Sequence, residues 1–218
     1  RNKDRDNWFL HVHFWDPHTP YRAPAEFGNP FENEPLDSWI TPEVFAEHRK
    51  HVGPHCINEL GMYSSDRNPA TPRQLGKAET MEELKQVMDG YDCGIRYADS
   101  LIGQIFDRLR EQGIYEDTAI IITADHGENM GELGIYSEHA TADYPTCRIP
   151  FIIKWPGCRK GGVDTGLHYN LDALPTMAEL LNVKKSEYWD GESYAASLFE
   201  ETDTGRDSLV LSQMAHVC

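Results

Sequence analysis

The sequence predicts an α/β fold in which a mixed, mostly parallel sheet is sandwiched between helices. Ile120, Ile121 and Ile122 form a short apolar run between polar neighbours, which is typical of a strand buried on both faces of a parallel sheet. A long apolar pattern with helical spacing precedes this run, between Thr80 and Leu109. A helix of that length between two apolar strands is typical of the crossover in a β-α-β unit, which joins parallel strands.

The first strand is predicted over residues 7–15, and it ends before Pro17 because proline cannot donate to a sheet ladder. His11 and His13 alternate with apolar residues, so both imidazoles lie on one face of this strand. Packing within the sheet accounts for these two histidines better than a role in a site. His18 differs, because it lies just past the carboxyl end of the strand, where open α/β sheets bind ligands.

Residues 22–73 form a predicted excursion that is rich in proline, asparagine, glutamate and aromatic residues. Its clearest helix is predicted over residues 41–51, where Thr41 can cap the helix and Pro42 can take the first helical position. The excursion either shapes substrate specificity near the ligand-binding edge or is a solvent-exposed segment without a functional role. The sequence favours neither interpretation. We predict that residues 1–218 belong to one domain, with no separate second domain.

The longest predicted element is a helix that starts at Thr80 and ends at Gly113. Thr80 and Glu83 have the spacing of a capping box at its start. Glycine is a poor helix former, so glycines inside the helix indicate close packing against the sheet. These internal glycines are Gly90, Gly94 and Gly103.

Two strands and one helix are predicted after the central loop. A strand over residues 148–155 ends at a Pro-Gly turn, and a last short strand covers residues 208–212. A helix is predicted over residues 170–181, with a kink or a start near Pro175. The residues of this helix predicted to face inward are Leu171, Leu174, Met177, Ala178 and Leu181.

Composition excludes several classes of partner. The formal net charge is −16, and clustered lysine and arginine are absent, so we expect neither nucleic acid nor an anionic membrane surface to bind. No apolar run approaches the roughly 20 residues of a membrane-spanning helix. The five cysteines are widely spaced and form no C-x-x-C pair, which excludes a zinc knuckle and a disulfide framework but leaves one or two disulfides open.

Acidic and imidazole side chains gather at the predicted strand ends. Asp125 and His126 directly follow the isoleucine-rich strand, Asp16 and His18 follow the first strand, and His139 lies in the loop before the third. One of these carboxylates and the three imidazoles, near one sheet edge, could bind a divalent metal and contact an anionic group. A competing interpretation of the Asp125–His126 pair is a turn with an aspartate cap and a solvated histidine.

Four successive segments resemble four successive blocks of the type I sulfatases, a family of the alkaline phosphatase superfamily. The segments are F-L-H-V-H-F-W-D-P-H-T-P-Y, M-D-G-Y-D-C-G-I-R-Y-A-D-S-L-I-G, T-A-D-H-G-E-N-M-G-E-L-G and T-C-R-I-P-F-I-I-K-W-P-G. Together they cover most of the chain from Trp8 to Gly157. The resemblance implies an alkaline-phosphatase-like sheet sandwiched between helices, incomplete at both ends in this chain, and the hydrolysis of a sulfate ester.

The resemblance also implies roles for four side chains. Asp125 and His126 match the later metal-binding pair of the family, and His18 matches the sulfate-contacting histidine of its P-H-x-P element. Many relatives have a sulfate-binding lysine eleven residues before the proline of the R-x-P strand. Counting back from Pro150, His139 stands at that position here.

Histidine in place of lysine changes the chemistry available at position 139. Lysine is a fixed cation at neutral pH, whereas a histidine is charged only in a suitable environment. His139 could therefore contact the anion or donate a proton to the leaving oxygen. Glu138 and Asp143 are close in sequence and would favour a charged His139, whereas burial would oppose it.

The family pattern further implies one divalent metal and a formylglycine. The metal is usually calcium, but calcium prefers oxygen ligands, so an aspartate with a histidine leaves manganese or zinc as alternatives. The formylglycine is made from the first residue of a C/S-x-P-x-R motif, and no such motif occurs in these 218 residues. The resemblance therefore implies that the nucleophile and the rest of the metal shell lie before Arg1, and that this chain is inactive by itself.

The expected partner is a sulfated small molecule or a sulfated glycan. Aromatic side chains near the predicted site edge would suit stacking on a sugar ring. These residues are Trp8, Trp15, Trp39 and Tyr21. Two alternatives stay open, namely a phosphonate monoester or phosphodiester hydrolase of the same superfamily and a non-catalytic binding module with the same fold. The sequence predicts no oligomeric state.

Overall fold

The computed structural model describes residues 7–60, 71–213 and 216–217. The chain divides into two compact units. Unit 1 combines residues 1–106 with residues 130–137, and unit 2 combines residues 107–129 with residues 138–218. The prediction that residues 1–218 are part of one domain, with an excursion at residues 22–73, stays a prediction.

The described ranges contain α-helices and short strands in mixed order. The α-helices are α1 (Pro42–His48), α2 (Met81–Glu111), α3 (Tyr144–Cys147), α4 (Ala173–Leu180) and α5 (Ala195–Phe199). The strands are β1 (Ile120–Thr123), β2 (Asn129–Met130), β3 (Tyr136–Glu138), β4 (Phe151–Lys154), β5 (Ser212–Gln213) and β6 (His216–Val217). Short 3-10 turns cover Ala25–Phe27 and Asn170–Asp172. None of the helices in the described ranges is both long enough and apolar enough to cross a membrane.

The predicted starts of α1 and α2 are confirmed by their capping hydrogen bonds. The Thr41 hydroxyl accepts a hydrogen bond from the backbone N–H of Val44, at 3.3 Å. The Thr80 hydroxyl accepts one from the N–H of Glu83, at 3.2 Å, and the Glu83 carboxylate accepts one from the N–H of Glu79, at 2.7 Å. These bonds satisfy N–H groups that have no partner inside the helix.

The core of unit 1 is built on the first half of α2. Leu84 and Val87 are fully buried there. Their neighbours in the core are Tyr21, Ile40, Phe45, Ile57, Leu60, Leu75, Ala78, Met130 and Tyr136. The first half of the apolar stripe of α2 therefore faces the core, as its period predicts, whereas Ile95, a later member of the stripe, is 47% exposed.

The strand predicted over residues 7–15 is wrong. This segment has no regular secondary structure, and Phe9 and Leu10 are largely exposed. A strand needs a partner that accepts and donates its backbone hydrogen bonds, and no strand of the described ranges pairs with this segment. Alternating apolar residues were therefore not sufficient to make a strand here.

The sheet around β1 differs from the predicted arrangement. β1 pairs with β4 in an antiparallel register, in which Ile120 lies opposite Lys154 and Thr123 opposite Phe151. The isoleucines of β1 are half-buried and not buried on both faces as predicted. β2 pairs with β3 and β5 with β6, so the β-α-β crossover predicted around α2 is not formed by the described strands.

The C-terminal predictions need two corrections. The helix predicted over residues 170–181 is a 3-10 turn followed by α4, which begins two residues before Pro175. Its buried face carries Pro175, Thr176 and Ala178, whereas three leucines predicted to face inward are about half exposed or more. These leucines are Leu171, Leu174 and Leu181. The strand predicted over residues 208–212 is also displaced, because β5 begins only at Ser212.

Candidate active site

The loop after β1 presents the predicted acid and imidazole side by side. The backbone N–H of His126 donates to the Asp125 carboxylate, with a distance of 3.1 Å between N and Oδ1. The ring atom Nδ1 of His126 lies 2.8 Å from the carbonyl oxygen of Gly127. A carbonyl oxygen only accepts hydrogen bonds, so Nδ1 carries the proton and the lone pair of the neutral ring is on Nε2.

The geometry of the Asp125–His126 pair is compatible with two ligands of one metal ion. Nε2 of His126 lies 3.8 Å from Oδ1 of Asp125, which is shorter than two metal–ligand bonds of about 2.1 Å laid end to end. Metal-binding histidines commonly donate their other ring N–H to a carbonyl, as His126 does to Gly127. Within the described ranges, no group of three or more histidine, cysteine, aspartate or glutamate residues could hold a metal ion.

His139 packs flat against His126. The ring centroids of the two imidazoles are 4.0 Å apart, and the angle between the ring planes is 14°. The structure thus brings together three of the predicted site residues, which are His139 and the Asp125–His126 pair. The predicted roles of these residues stay predictions.

Gly127 holds the β1 loop against α3. Its N–H donates to the carbonyl oxygen of Thr146, at 2.7 Å. A side chain at position 127 would collide with the carbonyl oxygen of Pro145, so only glycine fits this approach. The loop that carries His126 is therefore bonded through its backbone to α3, the helix that follows the His139 loop.

Asn129, at the start of β2, makes a second set of contacts with residues 141–146, which the sequence did not predict. Its side chain is fully buried. Its Nδ2 lies 2.8 Å from the Thr141 hydroxyl, 3.0 Å from Oδ2 of Asp143 and 3.1 Å from the Thr146 hydroxyl. The only signal in the sequence was an asparagine that directly follows the D-H-G-E element.

The carboxylates near His139 have structural tasks. Oε1 of Glu138 accepts hydrogen bonds from the backbone N–H groups of His139 and Ala140, at 2.7 Å and 2.6 Å. Asp143 caps α3 by accepting a bond from the N–H of Thr146, at 3.1 Å. Burial raises the pKa of Asp143, but hydrogen bonds from Thr141, Asn129 and Thr146 outweigh burial, so this pKa lies below its usual value.

Replacing Asn129 with leucine in the full-length protein is expected to lower the free energy of unfolding by about 1–3 kcal/mol, because the hydrogen bonds of a fully buried amide to Thr141, Asp143 and Thr146 are lost. The loss of these bonds should also disturb the stack of His126 on His139, so turnover should fall. Urea denaturation and steady-state kinetics measure both effects. Asn170→Leu makes the same change at an exposed asparagine, and equal effects from the two variants would contradict this role of Asn129.

His18 belongs to unit 1, where it is held by its neighbours in the chain. Its backbone N–H donates to the carbonyl oxygen of Trp15, at 3.0 Å, and its Nδ1 lies 2.5 Å from the carbonyl oxygen of Thr19. Its ring centroid is 4.7 Å from that of Trp15, and the Arg22 guanidinium lies 5.3 Å from the Trp15 ring. Nδ1 of His18 therefore carries a proton, for the same reason as Nδ1 of His126.

The fold and the acid–imidazole pair at the end of β1 define an alkaline-phosphatase-like α/β protein. The solved structure of the phosphonate monoester hydrolase SpPMH from Silicibacter pomeroyi matches 94% of this chain and 39% of its own, with a TM-score of 0.67 and 24% identity, which confirms the predicted fold class. The sulfatase family model matches residues 1–183. The chain belongs to the sulfatase family.

Curated relatives match nearly the whole chain. The multifunctional alkaline phosphatase superfamily protein PehA of Trinickia caryophylli is 29% identical over 212 residues, which is 92% of this chain and 39% of that protein. The choline-sulfatase of Rhizobium meliloti (strain 1021) is 30% identical over 190 residues, which is 85% of this chain and 34% of that protein. The chain therefore spans between a third and two fifths of the length of these relatives.

Proposed function

We propose that the full-length protein that contains this chain is a sulfuric ester hydrolase. The observation that carries the proposal lies in unit 2. There, His139 stacks on His126, and His126 and Asp125 are close enough to bind one metal ion. Membership of the sulfatase family and the similarity to a choline-sulfatase support a sulfate ester as the substrate.

Asp125 and His126 would hold one divalent metal through a carboxylate oxygen and Nε2. When bound, the metal supplies positive charge that stabilises the negative charge of sulfate oxygens. The hydrogen bond from His126 Nδ1 to Gly127 keeps Nε2 in the form that binds metal. Calcium is expected from the family, and the imidazole ligand leaves manganese or zinc as alternatives.

His139 and His18 would act on the ester itself. His139 would donate a proton to the leaving oxygen or contact the anion. Its stack on His126 keeps it beside the proposed metal ligands. His18 would contact the anionic group, as the P-H-x-P element of the family implies. The formylglycine nucleophile and further metal ligands would come from residues outside this chain, so the chain alone should be inactive.

A sulfated carbohydrate is our preferred substrate class within this function. Trp15 supports it, because its ring is 50% exposed and lies beside His18. Trp8 and Trp39 are each 37% exposed and could also stack on a sugar. Tyr21 cannot, because its side chain is fully buried, which corrects the role suggested by its position in the sequence.

The full-length protein is expected to hydrolyse nitrophenyl sulfate faster than bis-nitrophenyl phosphate or a phenyl phosphonate monoester. Removing the metal with a calcium chelator should abolish turnover, and adding back calcium, manganese or zinc singly identifies the metal. A preference for the phosphorus esters would instead support a phosphonate monoester or phosphodiester hydrolase. Absence of turnover on all three, with a degenerate C/S-x-P-x-R motif in the complete sequence, would indicate a binding module.

A further inference from the structure

Two glycines of α2 lie directly under the segment that carries His18. Gly90 and Gly94 are four residues apart, so they lie one above the other on the same face of the helix. A Cβ placed on Gly94 would lie 2.9 Å from both Cα and Cβ of Pro17. A Cβ placed on Gly90 would lie 2.7 Å from Cδ2 of Tyr21 and 3.1 Å from the carbonyl oxygen of Arg73.

The residue at one end of this segment has no room to move away from the helix. Tyr21 is fully buried, and its hydroxyl lies 2.9 Å from Oγ of Ser137 and 3.4 Å from the sulfur of Met130. Its ring also meets that of Tyr91 edge to face, with centroids 6.0 Å apart. A larger side chain at position 90 would therefore push against a ring that is fixed on its other sides.

The glycine in the same helix that lacks such a neighbour shows that the contacts are local. Gly103 has nothing within 4 Å of the position that its Cβ would take. Glycine is a poor helix former wherever it stands in α2. At positions 90 and 94, however, it is the only residue whose size lets the backbone of the His18 segment reach the helix.

We propose that Gly90 and Gly94 are positioning residues for His18. Because these positions lack side chains, Tyr21 and Pro17 pack directly against α2, and His18 lies between these two residues in the chain. This inference rests on the proposed function, in which His18 contacts the anionic group of the substrate. The contacts of the His18 ring with the Thr19 carbonyl oxygen and the Trp15 ring fix it relative to the segment, so the position of the segment on α2 sets the position of the ring.

An alanine at position 94 would displace Pro17 and with it the imidazole of His18. A shift of about 1 Å in a group that contacts the reacting centre costs roughly 100-fold in rate. We therefore expect Gly94→Ala in the full-length protein to lower kcat/KM for a sulfate ester by about 10- to 100-fold. Gly103→Ala makes the same chemical change in the same helix and should leave kcat/KM within about twofold of the wild type.

A double-mutant cycle separates positioning from a general loss of structure. If Gly94 acts through His18, Gly94→Ala should cost no more than about twofold in a His18→Ala background, because the contact is already lost. Equal losses with and without His18 would overturn the inference, and so would a Gly94→Ala variant with the kinetics of Gly103→Ala. Full activity of His18→Ala alone would contradict the proposed role of His18, which is a separate failure.

Tyr21→Phe tests the same inference with a smaller structural change. It keeps the ring against Gly90 and removes only the hydroxyl that is bonded to Ser137. We expect a loss in kcat/KM of about three- to tenfold that again disappears in the His18→Ala background. This variant decides the matter if Gly94→Ala does not fold, because a loss that persists without His18 would overturn the proposal.

Discussion

Replacing His139 with alanine is expected to lower kcat of the full-length protein by about 10²- to 10⁴-fold while leaving its metal content unchanged. The ring of His139 stacks on His126 but is not one of the two side chains that we assign to the metal. Its loss would therefore remove a proton donor or an anion contact and leave the metal ligands in place. Steady-state kinetics with a sulfate ester, together with metal analysis of the same preparation, measure the two quantities.

His126→Ala is the matched control for His139→Ala, because it removes the other ring of the same stack. This variant is expected to lose both turnover and bound metal, since we propose Nε2 of His126 as a metal ligand. His139→Gln, which keeps a polar group without the acid function, should separate the two roles of His139. Substantial activity in His139→Gln would favour an anion contact over a proton donor, and wild-type kinetics in His139→Ala would remove His139 from the site.

Replacing Asp172 with alanine is expected to lower the free energy of unfolding by about 3–5 kcal/mol, because it leaves a largely buried arginine without its partner. Asp172 is fully buried, and its two oxygens lie 2.5 Å and 2.9 Å from the guanidinium nitrogens of Arg206. The same carboxylate accepts hydrogen bonds from the N–H groups of Tyr169 and Glu192, at 2.7 Å and 2.8 Å. Chemical denaturation of the full-length protein measures the loss.

Asp190→Ala provides the control for Asp172→Ala, because Asp190 is an exposed aspartate in the same unit. A change at an exposed site of this kind should stay within about 0.5 kcal/mol of the wild type. If Asp172→Ala were as stable as Asp190→Ala, the Asp172–Arg206 pair would not be a main support of unit 2.

The stability supplied by Asp172 is also expected to depend on pH. Burial raises the pKa of Asp172, but the hydrogen bonds from Arg206 and two backbone N–H groups outweigh burial and hold the pKa below its usual value. A carboxyl with a lowered pKa in the folded state stabilises the protein above its unfolded pKa of about 3.9. This contribution is lost as the pH falls through the folded pKa, so Asp172→Asn should show a weaker loss of stability below about pH 4 than the wild type.

Local patterns in the sequence determined α1, α2 and the chemistry of the β1 loop. The caps at Thr41 and Thr80 follow from hydrogen bonds between residues three apart, which the sequence shows directly. The length of α2 follows from an apolar period within one segment. The place of Asp125 and His126 just after β1 needed only the recognition of a short strand, and the family followed from the order of four segments.

Contacts between distant residues were decided only by the tertiary structure. His139 stacks on His126, and Asn129 bonds to Thr146. Both contacts depend on how two separate segments approach each other, which no local pattern encodes. Residues 7–15 have an apolar pattern but no paired strand, and β1 pairs antiparallel with β4. A strand, unlike a helix, draws its hydrogen bonds from another part of the chain, so sequence can propose it but only the assembled fold can supply its partner.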